Sequence, residues 1–142
     1  MGRVYFNARR ESHALNAAYT VKASDSGKVF MVSNSSGGAY NITLPTLGGT
    51  GDDKAVEGLY YKFIVEEDTP GHAVTIAAGS ALIDFVMKDI AADLGNSSGG
   101  TAKSNLIIGT ACKQGDYINI FHDGTSWYAD GLSSTGDSYT TS

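Results

Sequence analysis

The sequence predicts an all-β domain, built as a β-sandwich or a jelly-roll-like barrel with an extended N-terminal arm. Short apolar stretches, several of them alternating with polar residues, recur along the chain. Glycine is abundant, at 18 of 142 residues, and it supplies the positive φ angles that tight turns need. The apolar stretches do not alternate with long helical patterns, which disfavours a parallel α/β sheet.

About eight short strands are predicted, and they lie at 19–21, 28–33, 40–44, 59–65, 74–76, 105–108, 117–122 and 126–130. The stretch 59–65 is the clearest, because its odd-numbered residues are all apolar and predict one buried face. The stretch 74–76 is predicted to pair with it as a hairpin. Asp123-Gly124 predicts a tight turn between the last two strands.

Three segments are less regular. Residues 82–94 have apolar spacing that fits a helix, yet their start fits a strand. A strand to about Phe85, followed by a loop or one short helix, is favoured. Residues 96–101 predict a Ser/Gly loop, and residues 47–58 predict a flexible loop with Asp52 and Asp53 at its tip.

The predicted organisation is an arm at 1–18, a β-sandwich domain at 19–132 and a flexible Ser/Thr-rich tail at 133–142. Charge is unevenly distributed along this plan. The first ten residues contain three basic residues, Arg3, Arg9 and Arg10, and no acidic residue. All 15 acidic residues follow from Glu11 onward, and the net charge of the chain is −5. An acidic body argues against nucleic-acid binding. The basic arm suits an acidic protein partner.

The chain contains a single cysteine, Cys112, which cannot form an internal disulfide and is interpreted as a small buried residue. The first 20 residues contain no apolar run typical of a signal peptide. No stretch has the length of a membrane helix, so no membrane association is expected. Folding in a reducing cytoplasm, without a metal, cofactor or disulfide, is therefore expected.

Candidate catalytic residues are scattered. His122, Asp123 and Ser126 are close in sequence, but neighbours in one hairpin do not hold a base between a nucleophile and an acid. His122 is instead interpreted as an exposed turn histidine. No metal-ligand, nucleophile-elbow or phosphate-loop motif is present.

The acidic clusters are also interpreted as surface features. Asp84, Asp89 and Asp93 could supply a carboxylate pair for glycoside hydrolysis, but solvent-exposed charges are the favoured interpretation. Two adjacent carboxylates at Asp52 and Asp53 are too few for a calcium cage. The sequence therefore predicts no catalytic, cofactor-binding or metal residues, and no enzyme.

Consecutive aromatic residues are the stronger functional signal. They occur as Tyr5-Phe6, Tyr60-Tyr61 and Trp127-Tyr128. Neighbouring residues on a strand point to opposite faces, so one of each pair leaves the core of its sheet. Either a second sheet or a partner then covers it. Tyr60, Tyr61, Trp127 and Tyr128 are accordingly candidate subunit-interface or surface aromatics.

The order of motifs resembles that in small virion proteins of tailed phages. Ile42-Thr43-Leu44-Pro45 closes one strand, Leu59 to Val65 forms the next, and Asp123-Gly124-Thr125-Ser126-Trp127-Tyr128 ends the domain. Over residues 19–132 this order is similar to that in capsid decoration, or cement, proteins and in some tail-fibre modules.

The resemblance implies a homotrimer on the capsid exterior of the virion. Such a trimer bridges neighbouring copies of the major capsid protein and stabilises the shell, without a catalytic residue or cofactor. The arm would contribute by strand addition and by ion pairs with acidic capsid residues. Its candidate capsid-binding residues are Arg3, Val4, Tyr5, Phe6, Arg9 and Arg10.

Two other functions stay open at this point. A tail-fibre or spike module could bind host surface glycan by stacking sugar rings on Trp127 and neighbouring aromatics. A polysaccharide hydrolase would rest only on scattered Asp and His residues.

Overall fold

The protein is folded into two mixed β-sheets, one of seven strands and one of five. The computed structural model describes residues 10–33, 37–68, 70–79, 82–89, 97–136 and 138–142. No α-helix occurs among these residues. The prediction of an all-β, sandwich-like fold is confirmed.

Twelve strands are found in the described part of the chain. They are β1 (Ser12–Leu15), β2 (Tyr19–Thr20), β3 (Val29–Val32), β4 (Tyr40–Thr43), β5 (Tyr60–Val65), β6 (Val74–Ala77), β7 (Ile83–Asp89), β8 (Ser97–Lys103), β9 (Asn105–Ile108), β10 (Tyr117–His122), β11 (Trp127–Ser133) and β12 (Tyr139–Thr141).

The first half of the chain passes back and forth between the sheets. Strands β1, β3 and β5 lie side by side in the seven-stranded sheet, ordered β1-β3-β5-β10-β11-β7-β8. Strands β2, β4 and β6 lie together in the five-stranded sheet, ordered β12-β9-β6-β4-β2. Neighbours in each set are parallel. A parallel pair needs a crossover connection, which a strand of the opposite sheet supplies here.

One hydrophobic core joins the two sheets. Its most buried large side chains include Trp127, Tyr61, Phe30 and Phe63 from the seven-stranded sheet. The Phe30 and Phe63 rings stack with their centroids 5.2 Å apart. Full burial of each large apolar side chain contributes roughly 1.5–3 kcal/mol, so these aromatics dominate the packing.

Three local predictions were wrong. Strand β6 pairs with β4 and β9 in the five-stranded sheet, rather than forming a hairpin with β5. Strand β7 continues to Asp89 instead of ending near Phe85 in a loop or short helix, and residues 97–103 form strand β8 rather than a loop. The antiparallel β7–β8 ladder satisfies the backbone of a segment whose Ser and Gly composition predicts a turn.

The predicted arm contributes a strand to the domain. Residues 12–15 form β1, which pairs in parallel with β3, and the Val29 N–H donates to the Glu11 carbonyl at 2.9 Å. The sheet therefore begins within the range expected to be an arm. Five of the candidate capsid-binding residues lie outside the described residues; they are Arg3, Val4, Tyr5, Phe6 and Arg9.

The expectation of a flexible tail was also wrong where the structure describes it. Strand β12 pairs with β9, and Tyr139 on it is buried. The Cys112 Sγ donates to the Ser138 carbonyl oxygen at 3.3 Å, so this segment covers the thiol. Cys112 is buried, as predicted, and burial raises its pKa to about 12.

Removal of residues 138–142 is expected to expose this thiol. The truncated chain loses the Tyr139 side chain and the β12 ladder, and its free energy of unfolding should fall by at least about 2 kcal/mol. Cys112 should then react with a colorimetric disulfide reagent at neutral pH, whereas the full chain should be inert. Thr140→Ala, at an exposed position of β12, is the control. Equal thiol reactivity of the truncated and full chains would contradict the packing role of β12.

Candidate binding surface

The outward face of the seven-stranded sheet is a broad surface with aromatic and apolar side chains. Strand alternation places the even-numbered residues of β5, β7 and β11 and the odd-numbered residues of β10 on this face. Cross-strand register aligns these side chains in rows that run across the strands. These rows determine which aromatic, polar and charged groups a binding partner would contact.

Three aromatic residues form the first row. Phe121 on β10 is paired with Tyr60 on β5 and with Tyr128 on β11. We call these three residues the aromatic row. Phe121 and Tyr128 are 43% and 44% exposed, and Tyr60 is half-buried. Directly opposed side chains have Cβ atoms about 4.5–5.5 Å apart, so the three form one continuous strip.

A polar row of Lys62, Asn119 and Asp130 runs beside the aromatic row. The Tyr60 hydroxyl donates to Asn119 Oδ1 at 2.9 Å, and Asn119 Nδ2 donates to Asp130 Oδ2 at 3.1 Å. These bonds fix the hydroxyl end of Tyr60 and orient the Asp130 carboxylate. The surface is therefore ordered before a partner binds.

Two rings on this face already contact cations. The Arg10 guanidinium carbon lies 5.5 Å from the centroid of the Tyr60 ring. The Lys62 ammonium lies 4.4 Å from the centroid of the Tyr117 ring, which belongs to the next row. Both distances fall within the roughly 6 Å range of cation–π attraction.

Carboxylates border the Tyr128 end of the aromatic row. Asp84 on β7 is directly paired with Tyr128, and its Oδ1 accepts a hydrogen bond from the Ala102 N–H at 2.8 Å. Asp123 lies in the β10–β11 turn, where its Oδ1 accepts the N–H groups of Thr125 and Ser126. The negative charge of Asp123 raises the pKa of Tyr128, and the charge of Asp84 acts in the same direction.

The four candidate surface aromatics separate into two classes. Tyr60 and Tyr128 lie on the outward face, as the alternation argument predicts for one member of each pair. Tyr61 and Trp127 are fully buried, so the suggestion that they form a surface or interface was wrong. The Tyr61 hydroxyl donates to the Lys22 carbonyl oxygen at 2.9 Å within the domain.

Phe121 was missed as a surface residue. Ile118 and Ile120 alternate with Asn119 in the sequence, and the same alternation places Phe121 outward and His122 inward. The structure has this arrangement, so the interpretation of His122 as exposed was wrong. Strand parity was therefore the signal that could have found Phe121.

His122 does not assemble a catalytic triad. Its Nδ1 lies 3.1 Å from the Val56 carbonyl oxygen and 3.1 Å from the Gly124 nitrogen. Backbone groups of Val56 and Gly124 thus contact the ring nitrogen, Nδ1, to which the orienting acid of a triad would have to bond. Its Nε2 and the Trp127 Nε1 are buried without a hydrogen-bond partner among the described residues.

The Asp52-Asp53 pair has structural contacts rather than a free loop tip. The Ser24 N–H donates to Asp52 Oδ1 at 2.9 Å, and Lys22 forms an ion pair with Asp53. The two carboxylates thereby connect the turns at 23–25 and 51–53. Within the described ranges, no group of three or more His, Cys, Asp and Glu residues could hold a metal ion.

Comparisons with known proteins returned no relationship. No protein-family model, curated protein or solved structure was found to match the chain. Among the residues that the structure describes, no helix has the length and hydropathy needed to span a membrane.

Proposed function

We propose that this protein is a structural component of a tailed-phage virion, a decoration protein that binds the outer capsid surface and stabilises the shell by bridging major capsid proteins. The observation that carries the proposal is the aromatic row, exposed on an otherwise well-packed β domain. Aromatic residues are enriched in protein interfaces and depleted from ordinary solvent-exposed surface. The motif order over residues 19–132 supplies the virion context.

A broad sheet face suits this function physically. The outward rows extend over at least four adjacent strands, β5, β10, β11 and β7. With strands about 4.8 Å apart, the width of such a surface is roughly 15 Å. A decoration protein needs modest contacts that are multiplied by oligomerisation and by the many copies on a shell. The proposed homotrimer provides this multiplication.

The N-terminal segment is the second proposed contact. Strand β1 lies at the edge of the seven-stranded sheet, and the exposed Arg10 lies two residues before its first residue, Ser12. The preceding nine residues include Arg3 and Arg9. They would pair with acidic capsid residues or add a strand to a partner's sheet.

Immunogold electron microscopy of whole phage particles tests the assignment directly. An antibody against this chain should label the head over its whole surface. Labelling confined to the tail tip would favour a fibre module instead. Absence of label from every particle would reject the virion assignment.

Deletion of residues 1–9 should abolish binding to undecorated capsids while leaving the domain folded. The deletion ends there because Glu11 and Ser12 belong to the β1–β3 pairing. Occupancy is measured by co-sedimentation and folding by thermal unfolding. A variant with Arg3→Ser and Arg9→Ser separates the charge contribution from that of the segment itself. Unchanged occupancy of the deletion variant would reject the role of the segment.

The glycan-binding alternative depended mainly on an exposed Trp127. Trp127, on which sugar stacking was centred, is fully buried. Its replacement should therefore act on stability rather than on a surface contact.

A further inference from the structure

We propose that Phe121 and Tyr128, with the neighbouring carboxylates of Asp84 and Asp123, bind an arginine side chain presented by the partner protein. The inference rests on the proposed function, because it assigns a chemistry to the capsid-protein segment that contacts the aromatic row. It identifies a site on the described part of this chain that is distinct from the N-terminal segment.

The two rings are positioned to act together. Phe121 and Tyr128 are directly paired across β10 and β11 and are the most exposed members of the aromatic row. A guanidinium group is planar and weakly hydrated, so it stacks on aromatic faces at a lower desolvation cost than an ammonium group. The site therefore favours arginine over lysine.

The same face already provides precedents for this type of contact. Arg10 lies over Tyr60 at one end of the aromatic row, and Lys62 lies over Tyr117 beside it. Phe121 and Tyr128 have no such cation among the described residues. A guanidinium of the partner over Phe121 and Tyr128 would repeat the cation–π contact that Arg10 makes with Tyr60 at the other end of the aromatic row.

Charge complementarity selects a basic partner. Asp84 and Asp123 both lie close enough to raise the pKa of Tyr128, so two negative charges act on this ring. The Ala102 N–H and the turn amides hold these carboxylates in place. The negative charges of Asp84 and Asp123 oppose pairing of this site with the same site of a second copy and oppose the binding of anionic glycans.

Binding of synthetic peptides to the full chain tests the site. The probe is an extended Gly/Ser peptide with two arginines, and its matched control has citrulline, a neutral isostere, at both positions. In fluorescence anisotropy, the arginine peptide should bind and the citrulline peptide should not. Affinity should fall as ionic strength rises, because the carboxylates are exposed to screening. Equal binding of both peptides, or no binding of either, would overturn the inference.

Substitutions on the protein localise the contact. The double variant Phe121→Leu/Tyr128→Leu should bind the arginine peptide about ten-fold more weakly, since each exposed cation–π contact contributes roughly 0.5–1 kcal/mol. Val86→Ala is the matched control, because Val86 is exposed on the same face and lacks a ring. Circular dichroism verifies that each variant is folded. Equal losses in the two variants would overturn the assignment to the rings.

Two further measurements separate this inference from its alternatives. If deletion of residues 1–9 tightens peptide binding ten-fold or more, the chain's own N-terminal segment is the occupant and the partner assignment is wrong. The arginine assignment would also be overturned if the chain bound neutral oligosaccharides and the Phe121→Leu/Tyr128→Leu variant did not. Peptide binding without capsid binding would reject the proposed function alone, whereas capsid binding without peptide binding would reject the arginine site alone.

Discussion

Replacing Trp127 by alanine is expected to lower the free energy of unfolding by about 3–4 kcal/mol, near the lower end of the range for Trp or Phe truncation in a core. Trp127 is completely buried, and its ring contacts those of Tyr61 and His122 at centroid distances of 5.9 and 4.5 Å. The unpaired indole N–H reduces the net gain from this burial, because a buried donor without a partner is unfavourable.

Urea unfolding followed by far-UV circular dichroism is the appropriate measurement. Trp127 is the single tryptophan, so its own fluorescence cannot report on the variant. Tyr128→Ala is the matched control, since this neighbour on the same strand is exposed. The unfolding free energy of Tyr128→Ala should differ from that of the wild type by less than about 1 kcal/mol, because substitutions of exposed residues usually have small effects. Similar losses in both variants would contradict the inward orientation of Trp127.

Strand parity explains which parts of the surface could be predicted from the sequence. In 59–65 the alternation correctly predicts one inward face, and Leu59, Phe63 and Val65 on it are buried. The same rule, applied consistently to 117–122, places Phe121 outward and His122 inward. A histidine beside a turn is typical of an exposed position, but the inward position of residue 122 in the alternation determines its burial.

Pairing between strands could not be predicted in the same way. The alternation of β1 to β6 between two sheets depends on contacts between residues far apart in sequence. Nothing in the local pattern of 74–76 indicates that β6 belongs to the opposite sheet from β5. Neither could the sequence indicate that Asp84 lies beside Tyr128, because this requires the parallel register of β7 and β11.

Two edge strands, one in each sheet, show how tertiary contacts override composition. Residues 97–103 and 139–141 consist mostly of Ser, Thr and Gly, which favour loops. Both form strands because a neighbouring strand pairs with their backbone groups. Tyr139 was the one residue in the C-terminal tail whose type indicated packing against the domain, because a large aromatic ring favours burial, and it is buried.

Asp25→Asn is expected to lower the free energy of unfolding by about 2–4 kcal/mol at pH 7, because it removes a charged acceptor from a buried network. The Asp25 carboxylate accepts hydrogen bonds from the Lys22 N–H and the Lys28 ammonium, both at 2.9 Å, and from the Tyr19 hydroxyl at 3.1 Å. Its side chain is only 6% exposed. An asparagine side chain cannot accept all three bonds with one carbonyl oxygen in the same geometry.

The effect has a defined pH dependence. Burial by itself raises the pKa of Asp25, but the hydrogen bonds from Lys28, Lys22 and Tyr19 outweigh it, and the pKa is lower than its ordinary value. A group with a lowered folded pKa contributes its full stability above its unfolded pKa, about 3.9 for Asp. That contribution is lost as the pH falls through the lowered folded pKa. The difference between wild type and Asp25→Asn should therefore shrink below about pH 4.

Urea unfolding midpoints at a series of pH values from neutral to acidic measure this difference. Asp53→Asn is the matched control, because Asp53 also pairs with a lysine but its side chain is 56% exposed. Exposed ion pairs contribute about 0–1 kcal/mol, so the control should change little at any pH. If the Asp25 difference stayed constant into strong acid, the network would act through shape alone. The charge on Asp25 would then have no part in holding the 23–25 turn to Lys22, Lys28 and Tyr19.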